Sequence, residues 1–236
     1  MMSVKGNLVP TGFGGGDTEV FGSKTYKTIR PEVANFDKLD IAGNFDLTLV
    51  PGNTFLEIEG EENILDLLDI QVYPNPSGQL EIKAKEGYIL RPSELIKLKI
   101  GFETLKSIHL VNEVKVAATG PLTFDKINII AYNESSIQLD LTANKVELQL
   151  QNAATADLSG RVQKSTVSTY NYGKLDGSKL KIQDATIQSY NSSSVKVDVA
   201  QKLSIQSYNN SRVNYTGNPV NLEKRASNYS NIKEIK

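Results

Sequence analysis

The chain has 236 residues, 26 Lys plus Arg against 27 Asp plus Glu, a formal net charge of −1, no Cys, no Trp and a single His. Near-neutrality excludes the basic surface that neutralises phosphates, so nucleic acid is not an expected partner. Without Cys there are no disulfides, thiolate metal sites or cysteine nucleophiles. No apolar run approaches the roughly 18 residues of a membrane-spanning helix.

In chain order, residues 1–24 contain "GFGGG" and little periodic apolar content, and read as a flexible or loosely docked arm. The opening "MMSVKGNLVPTGFGGG" lacks the apolar core of a secretory signal. From Phe36 strand signals dominate. In "FDKLDIAGNFDLTLV" (36–50), Leu39, Ile41, Gly43, Phe45, Leu47 and Leu49 share one face, opposite Asp40, Asn44, Asp46 and Thr48. "PGN" (51–53) is a turn and "FLEIEG" (55–60) a second strand. "EENILDLLDI" (61–70) carries the one helical spacing, though it is short enough to be strand, and "QLEIKAK" (79–85) and "LIKLKI" (95–100) read as further strands.

The second half repeats. Asn112, Asn133, Asn152, Asn171, Asn191, Asn209 and Asn228 are spaced by 21, 19, 19, 20, 18 and 19 residues. Two positions after each stand Val114, Ser135, Ala154, Gly173, Ser193, Ser211 and Ser230; four after, an aliphatic or Ala; four before, an aliphatic until Lys224. A period near 19 with strand alternation and no intervening helix is too short for helical arrays or propeller blades, and points to a solenoid of β-coils. The expected fold is all-β: a right-handed parallel β-helix with an irregular N-terminal segment. Residues 25–236 form one domain, with less regular coils over 25–104 and regular ones over 105–236.

Parity places Ile205, Ser207, Asn209, Ser211 and Val213 on one face and Gln206, Tyr208, Asn210 and Arg212 on the other, so the repeated Asn is expected inside. Stacked rungs about 4.8 Å apart would let Asn133, Asn152, Asn171, Asn191 and Asn209 hydrogen-bond along the stack as a structural ladder, and Asn tolerates the left-handed backbone of a corner. Tyr132, Tyr170, Tyr190 and Tyr208 should face outward as a stripe interrupted by Gln151. Such a stripe can stack on sugar rings or anchor a protein; equally, Tyr favours strands and fills cross-strand neighbour positions.

No catalytic constellation assembles. Asp140, Asp157, Asp176 and Asp198 alternate with Lys and Ser, as on a solvated strand face, whereas a glycosidase needs two carboxyls facing each other across the scissile bond. His109 has no Ser or Asp partner indicated by the local sequence. "GFGGG" is not a phosphate loop, and "EGEENILD" (59–66) lacks the ligand alternation of a calcium loop. No metal or cofactor is expected.

The order of "FDKLDIAGNFDLTLVPGNTFLEIEGEENILDLLDIQV" (36–72), "GQLEIKAK" (78–85), "LKSIHLVN" (105–112) and the Asn-centred coils resembles the putative auto-transporter adhesin, head GIN domain family of Gram-negative envelope proteins. The resemblance implies a β-helical fold, a place in the cell envelope or outside the cell, and an export signal or lipid anchor that would belong to a longer precursor. It implies no catalytic residues. The expected function is adhesin-like binding of a glycan or surface protein through a strand face or coil edge. The alternatives are a polysaccharide-active enzyme on the same scaffold and a periplasmic scaffold module.

Overall fold

The computed structural model describes residues 8–9, 17–73 and 78–235. The glycine run at 12–16 lies outside them. The regular half is a parallel β-helix in which Ser136–Gln151, Thr155–Tyr170, Lys174–Tyr190 and Ser194–Tyr208 wrap into successive rungs. Identical repeat positions stack. Ile108, Ile129, Leu148, Val167, Ile187 and Ile205 pair in register from rung to rung, as do Val116, Ile137, Ala156, Leu175, Val195 and Val213. All twelve are buried. Burial of such columns is the main stabilising term, since each fully buried Val, Leu or Ile contributes about 1.5–3 kcal/mol.

Two local devices bend each rung. Along Ser136–Gln151 the buried positions run 137, 139, 141 and 143, then 146, 148 and 150. Asn144 and Lys145 thus both point outward, and this one-residue slip turns the strand without breaking the ladder. At the repeated Asn the backbone itself turns. Two consecutive residues take positive φ, as at Asn171 (48°) and Tyr172 (68°), and again at Asn191 (55°) and Ser192 (61°).

The following residue is buried and small because the corner closes on the rung below. A Cβ at Gly173 would crowd the Leu150 carbonyl oxygen. At two of the corners the residue is a Ser whose hydroxyl is satisfied locally: Ser135 Oγ donates to Tyr132 O at 2.8 Å and Ser193 Oγ to Tyr190 O at 2.7 Å.

The N-terminal half builds a closed end, and its rungs are not in chain order. Lys38–Ala42 and Phe45–Pro51 form a rung parallel to Ser107–Val111 and Val114–Ala118 on one side. On the other side it is parallel to Gln79–Ala84 and Ile96–Phe102. Beyond these, Phe55–Glu61 and Leu68–Tyr73 run antiparallel to the outermost rung. The helical spacing of 61–70 yields a helix only over Glu62–Leu65, which drops Ile64 and Leu65 into the core; the rest becomes strand because Leu68–Tyr73 pairs with Gln79–Ala84.

Part of the N-terminal arm is docked. Thr18–Phe21 lies parallel to Tyr88–Arg91 and antiparallel to Leu8–Val9.

Candidate functional site

One outer face of the helix carries side chains in straight columns. Its Tyr column runs Tyr132, Gln151, Tyr170, Tyr190, Tyr208, with Gln151 beside Tyr170 and Tyr190 beside Tyr208 in register. Two residues upstream lie Gln149, Ser168, Gln188 and Gln206, and two further Glu147, Thr166, Thr186 and Ser204.

The ring geometry restricts what the stripe can do. Tyr170 and Tyr190 stack at 5.2 Å between centroids with 2° between planes, and Tyr190 and Tyr208 at 5.3 Å and 15°. Both faces of the Tyr190 ring are therefore covered by neighbours, and the column is half-buried. Burial, then the neighbouring phenols, raise the Tyr190 hydroxyl above its ordinary value of 10.0, so it stays a protonated donor at neutral pH. Tyr190 thus offers its ring edge and hydroxyl, while Tyr170 and Tyr208 each have one face covered by Tyr190. Tyr132 stands apart from the stack: His109 meets it edge-on at 5.6 Å, and Gln149 Nε2 donates to its hydroxyl at 3.4 Å.

The repeated Asn is outside the core, contrary to strict strand parity. The pair of left-handed residues rotates the chain, so that Tyr208, Asn209 and Asn210 all face outward before Ser211 re-enters the interior. At this exposed corner each amide Nδ2 donates to Oδ1 of the Asn one rung below. The distances are 3.4 Å (Asn133 to Asn112), 3.0 Å (Asn152 to Asn133), 3.1 Å (Asn171 to Asn152), 2.8 Å (Asn191 to Asn171) and 2.9 Å (Asn209 to Asn191 and Asn228 to Asn209). A primary amide has two N–H donors and two acceptor lone pairs. The ladder uses one of each on every interior member and leaves one of each facing solvent.

The lower end of this corner opens into a groove of about 680 Å³. One wall is Tyr88–Pro92, the excursion that replaces the Asn corner in the outermost rung. The other is the start of the corner column, Asn112, Glu113, Asn133, Glu134 and Asn152. Gly43 occupies the Asn position in this rung and lines the groove with the Phe45 ring packed against it. Glu113 accepts from Asn44 Nδ2 at 3.3 Å. Arg91 is engaged by Glu19, with Nη2 to Oε1 at 2.9 Å.

A comparable hollow of about 670 Å³ sits beside Leu105, Phe124 and Lys38. Two of its lysines are paired, Lys106 with Asp37 at 2.6 Å and Lys126 with Glu147 at 3.2 Å.

Of the carboxylates considered from sequence, Asp140 and Asp157 line one hollow together with Lys179. Asp157 and Asp176 are neighbours in register. Asp176 accepts from Ser178 Oγ at 2.6 Å and lies 3.4 Å from Lys196 Nζ. The Ser178 hydroxyl, the Ser178 N–H and the Lys196 charge outweigh burial and hold its carboxyl below the ordinary range. Asp198 pairs with Lys181.

His109 does have an acidic partner, which the local sequence could not show. Asp40, 69 residues earlier, occupies the same column one rung below, with Oδ1 3.1 Å from Nδ1. That bond outweighs partial desolvation and raises the imidazole above 6.5.

The parallel β-helix carries a columned face, an amide-edged corner and a groove at its closed end. The chain belongs to the putative auto-transporter adhesin, head GIN domain family, whose model matches residues 35–219. Its fold is shared with a putative adhesin from Bacteroides fragilis NCTC 9343 (20% identity, TM-score 0.76, covering 92% of this chain and 100% of the other). A putative adhesin from Parabacteroides merdae ATCC 43184 is similar at 16% identity and TM-score 0.74, with 92% and 99% covered. A putative lipid binding protein from Parabacteroides distasonis ATCC 8503 is similar at 17% and 0.69, with 92% and 96% covered. No curated protein matches the sequence.

Proposed function

We propose that this domain is a non-catalytic adhesin-type module of the cell envelope or cell surface that docks a protein through the face bearing Tyr132, Tyr170, Tyr190 and Tyr208. Membership of the family supports a binding role. The observation that carries the choice of partner is the mutual stacking of Tyr170, Tyr190 and Tyr208. A pyranose ring binds aromatic side chains through the ring face, and in this stack both faces of Tyr190 and one face each of Tyr170 and Tyr208 are covered by a neighbouring ring.

Phenol hydroxyls and the amides of Gln188 and Gln206 instead make a flat, hydrogen-bonding surface. Tyr suits such a surface because it supplies a large, stiff, amphipathic contact. Stacking also fixes the rings before a partner arrives, which lowers the ordering cost of association.

The test is a Tyr132/Tyr170/Tyr190/Tyr208→Ser variant compared with wild type in pull-downs from envelope extracts and on a glycan array. Loss of a protein partner by a variant with wild-type circular dichroism supports the reading. Retention of every captured protein by the folded variant overturns it.

A further inference from the structure

We infer that the groove between Tyr88–Pro92 and the first members of the Asn ladder is a second, separate binding site, and that its ligand is a neutral, linear glycan. The site does not use the Tyr face and stands whether or not that face binds a protein.

Three observations define the ligand. First, the hollow is concave and of ligand size: about 680 Å³ falls within the roughly 300–1,000 Å³ of small-molecule sites. Second, its hydrogen-bonding groups are held in place yet not used up. Asn133 and Asn152 are each fixed by a bond above and a bond below. Each keeps one free N–H and one free lone pair, so a sugar hydroxyl, which both donates and accepts, finds a complementary pair already oriented on each rung.

Third, the charge is one-sided. Glu113 and Glu134 occupy successive rungs at the groove rim, and neither has a salt-bridge partner among the described residues. The cation in the lining, Arg91, is engaged by Glu19. Carboxylates accept well from sugar hydroxyl pairs and repel uronate, sulfate and sialate groups, so the groove fits an uncharged sugar and not an acidic one. Tyr88, Leu90 and Pro92 supply the apolar wall against which the less polar face of a pyranose can rest.

Linearity follows from where the groove leads. Asn152 lines it and bonds to Asn171, and the ladder continues through Asn191 and Asn209. A chain whose end sits in the groove can run up the corner and meet the same donor–acceptor pair at each rung.

The experiment is titration of 15N-labelled protein with cellopentaose, xylopentaose, maltopentaose and pentagalacturonate, reading the side-chain amide resonances of Asn112, Asn133 and Asn152. Those amides should show saturable shifts with at least one neutral pentaose and none with pentagalacturonate. Affinity should fall at least tenfold in Glu113→Gln/Glu134→Gln and in Tyr88→Ala, and be unchanged in Tyr170→Ser/Tyr190→Ser/Tyr208→Ser. No shift with any neutral pentaose, equal binding of the acidic sugar, or full affinity in both folded groove variants would overturn it.

Discussion

Replacing Glu61 by alanine should release the N-terminal strand from the domain while leaving the β-helix intact. Glu61 is 2% exposed, and its carboxylate accepts from Lys24 N–H at 2.8 Å, Ser93 N–H at 2.8 Å and Ser93 Oγ at 2.9 Å. It therefore ties residues 22–24 to the excursion that carries the groove wall. Gly22 lacks a side chain where a Cβ would collide with this carboxylate.

Alanine at 61 leaves two backbone donors without their acceptor, at about 1–3 kcal/mol each. The loss cannot exceed the cost of undocking the strand and hydrating both donors, so it is expressed locally. Amide exchange at Gly22 and Lys24, whose N–H groups bond Arg91 O and Glu61, should accelerate by roughly tenfold to a hundredfold, at 1.4 kcal/mol per factor of ten. Amides of the rungs around Ile187 should not change. Glu61→Gln, which keeps one acceptor oxygen, should fall between.

Acid should mimic the variant. Burial opposes ionisation of Glu61, but the Ser93 and Lys24 bonds outweigh it and hold the carboxyl below 4.5. Its contribution is thus present above about pH 4.5 and is lost as pH falls through the lower folded value. Unchanged exchange at Lys24 in folded Glu61→Ala would refute the latch.

Three further outcomes follow from the geometry. Asn171→Ala should cost about 2 kcal/mol, combining the left-handed backbone penalty of roughly 1–2 kcal/mol with two exposed amide bonds. Asn171→Gly, which tolerates φ of 48°, should cost clearly less; equal thermal shifts for the two would show that the backbone conformation is not what Asn supplies. Asp40→Asn should remove stabilisation that His109 provides below about pH 6.5. Because the folded pKa is raised above 6.5, that stabilisation is lost as pH rises through the folded value, so wild-type and variant melting curves should differ more at pH 6 than at pH 9. Ile187→Ala, at a position of 0% exposure inside the stacked aliphatic column, should cost about 2–5 kcal/mol in denaturant unfolding.

How much of this was legible varies by element. The rung length, the stacked aliphatic columns and the outward Tyr were written in the sequence, because in-register parallel stacking puts the same environment at the same repeat position, and the side-chain mix at each position reflects it. The inward placement of Asn failed for a local reason: parity counting assumes continuous strand, and two successive left-handed residues insert a turn with no change in the number of residues. The signal for it was present in the polar or small residue that follows five of the seven Asn: Glu113, Glu134, Ala153, Ser192 and Asn210.

What the sequence by itself determined is a set of relations between residues about 19 apart, since a periodic chain carries its own register wherever each rung rests on its sequence neighbour. Tertiary structure decided the relations that break this order. The 36–51 rung is enclosed between 79–102 and 107–118, so Asp40 reaches His109 across 69 residues, and the excursion at 88–92 rises beside the Asn corner to make a groove. No repeat encodes those contacts; they exist because the hydrophobic end of a solenoid must be covered, and the chain covers it by folding back on itself.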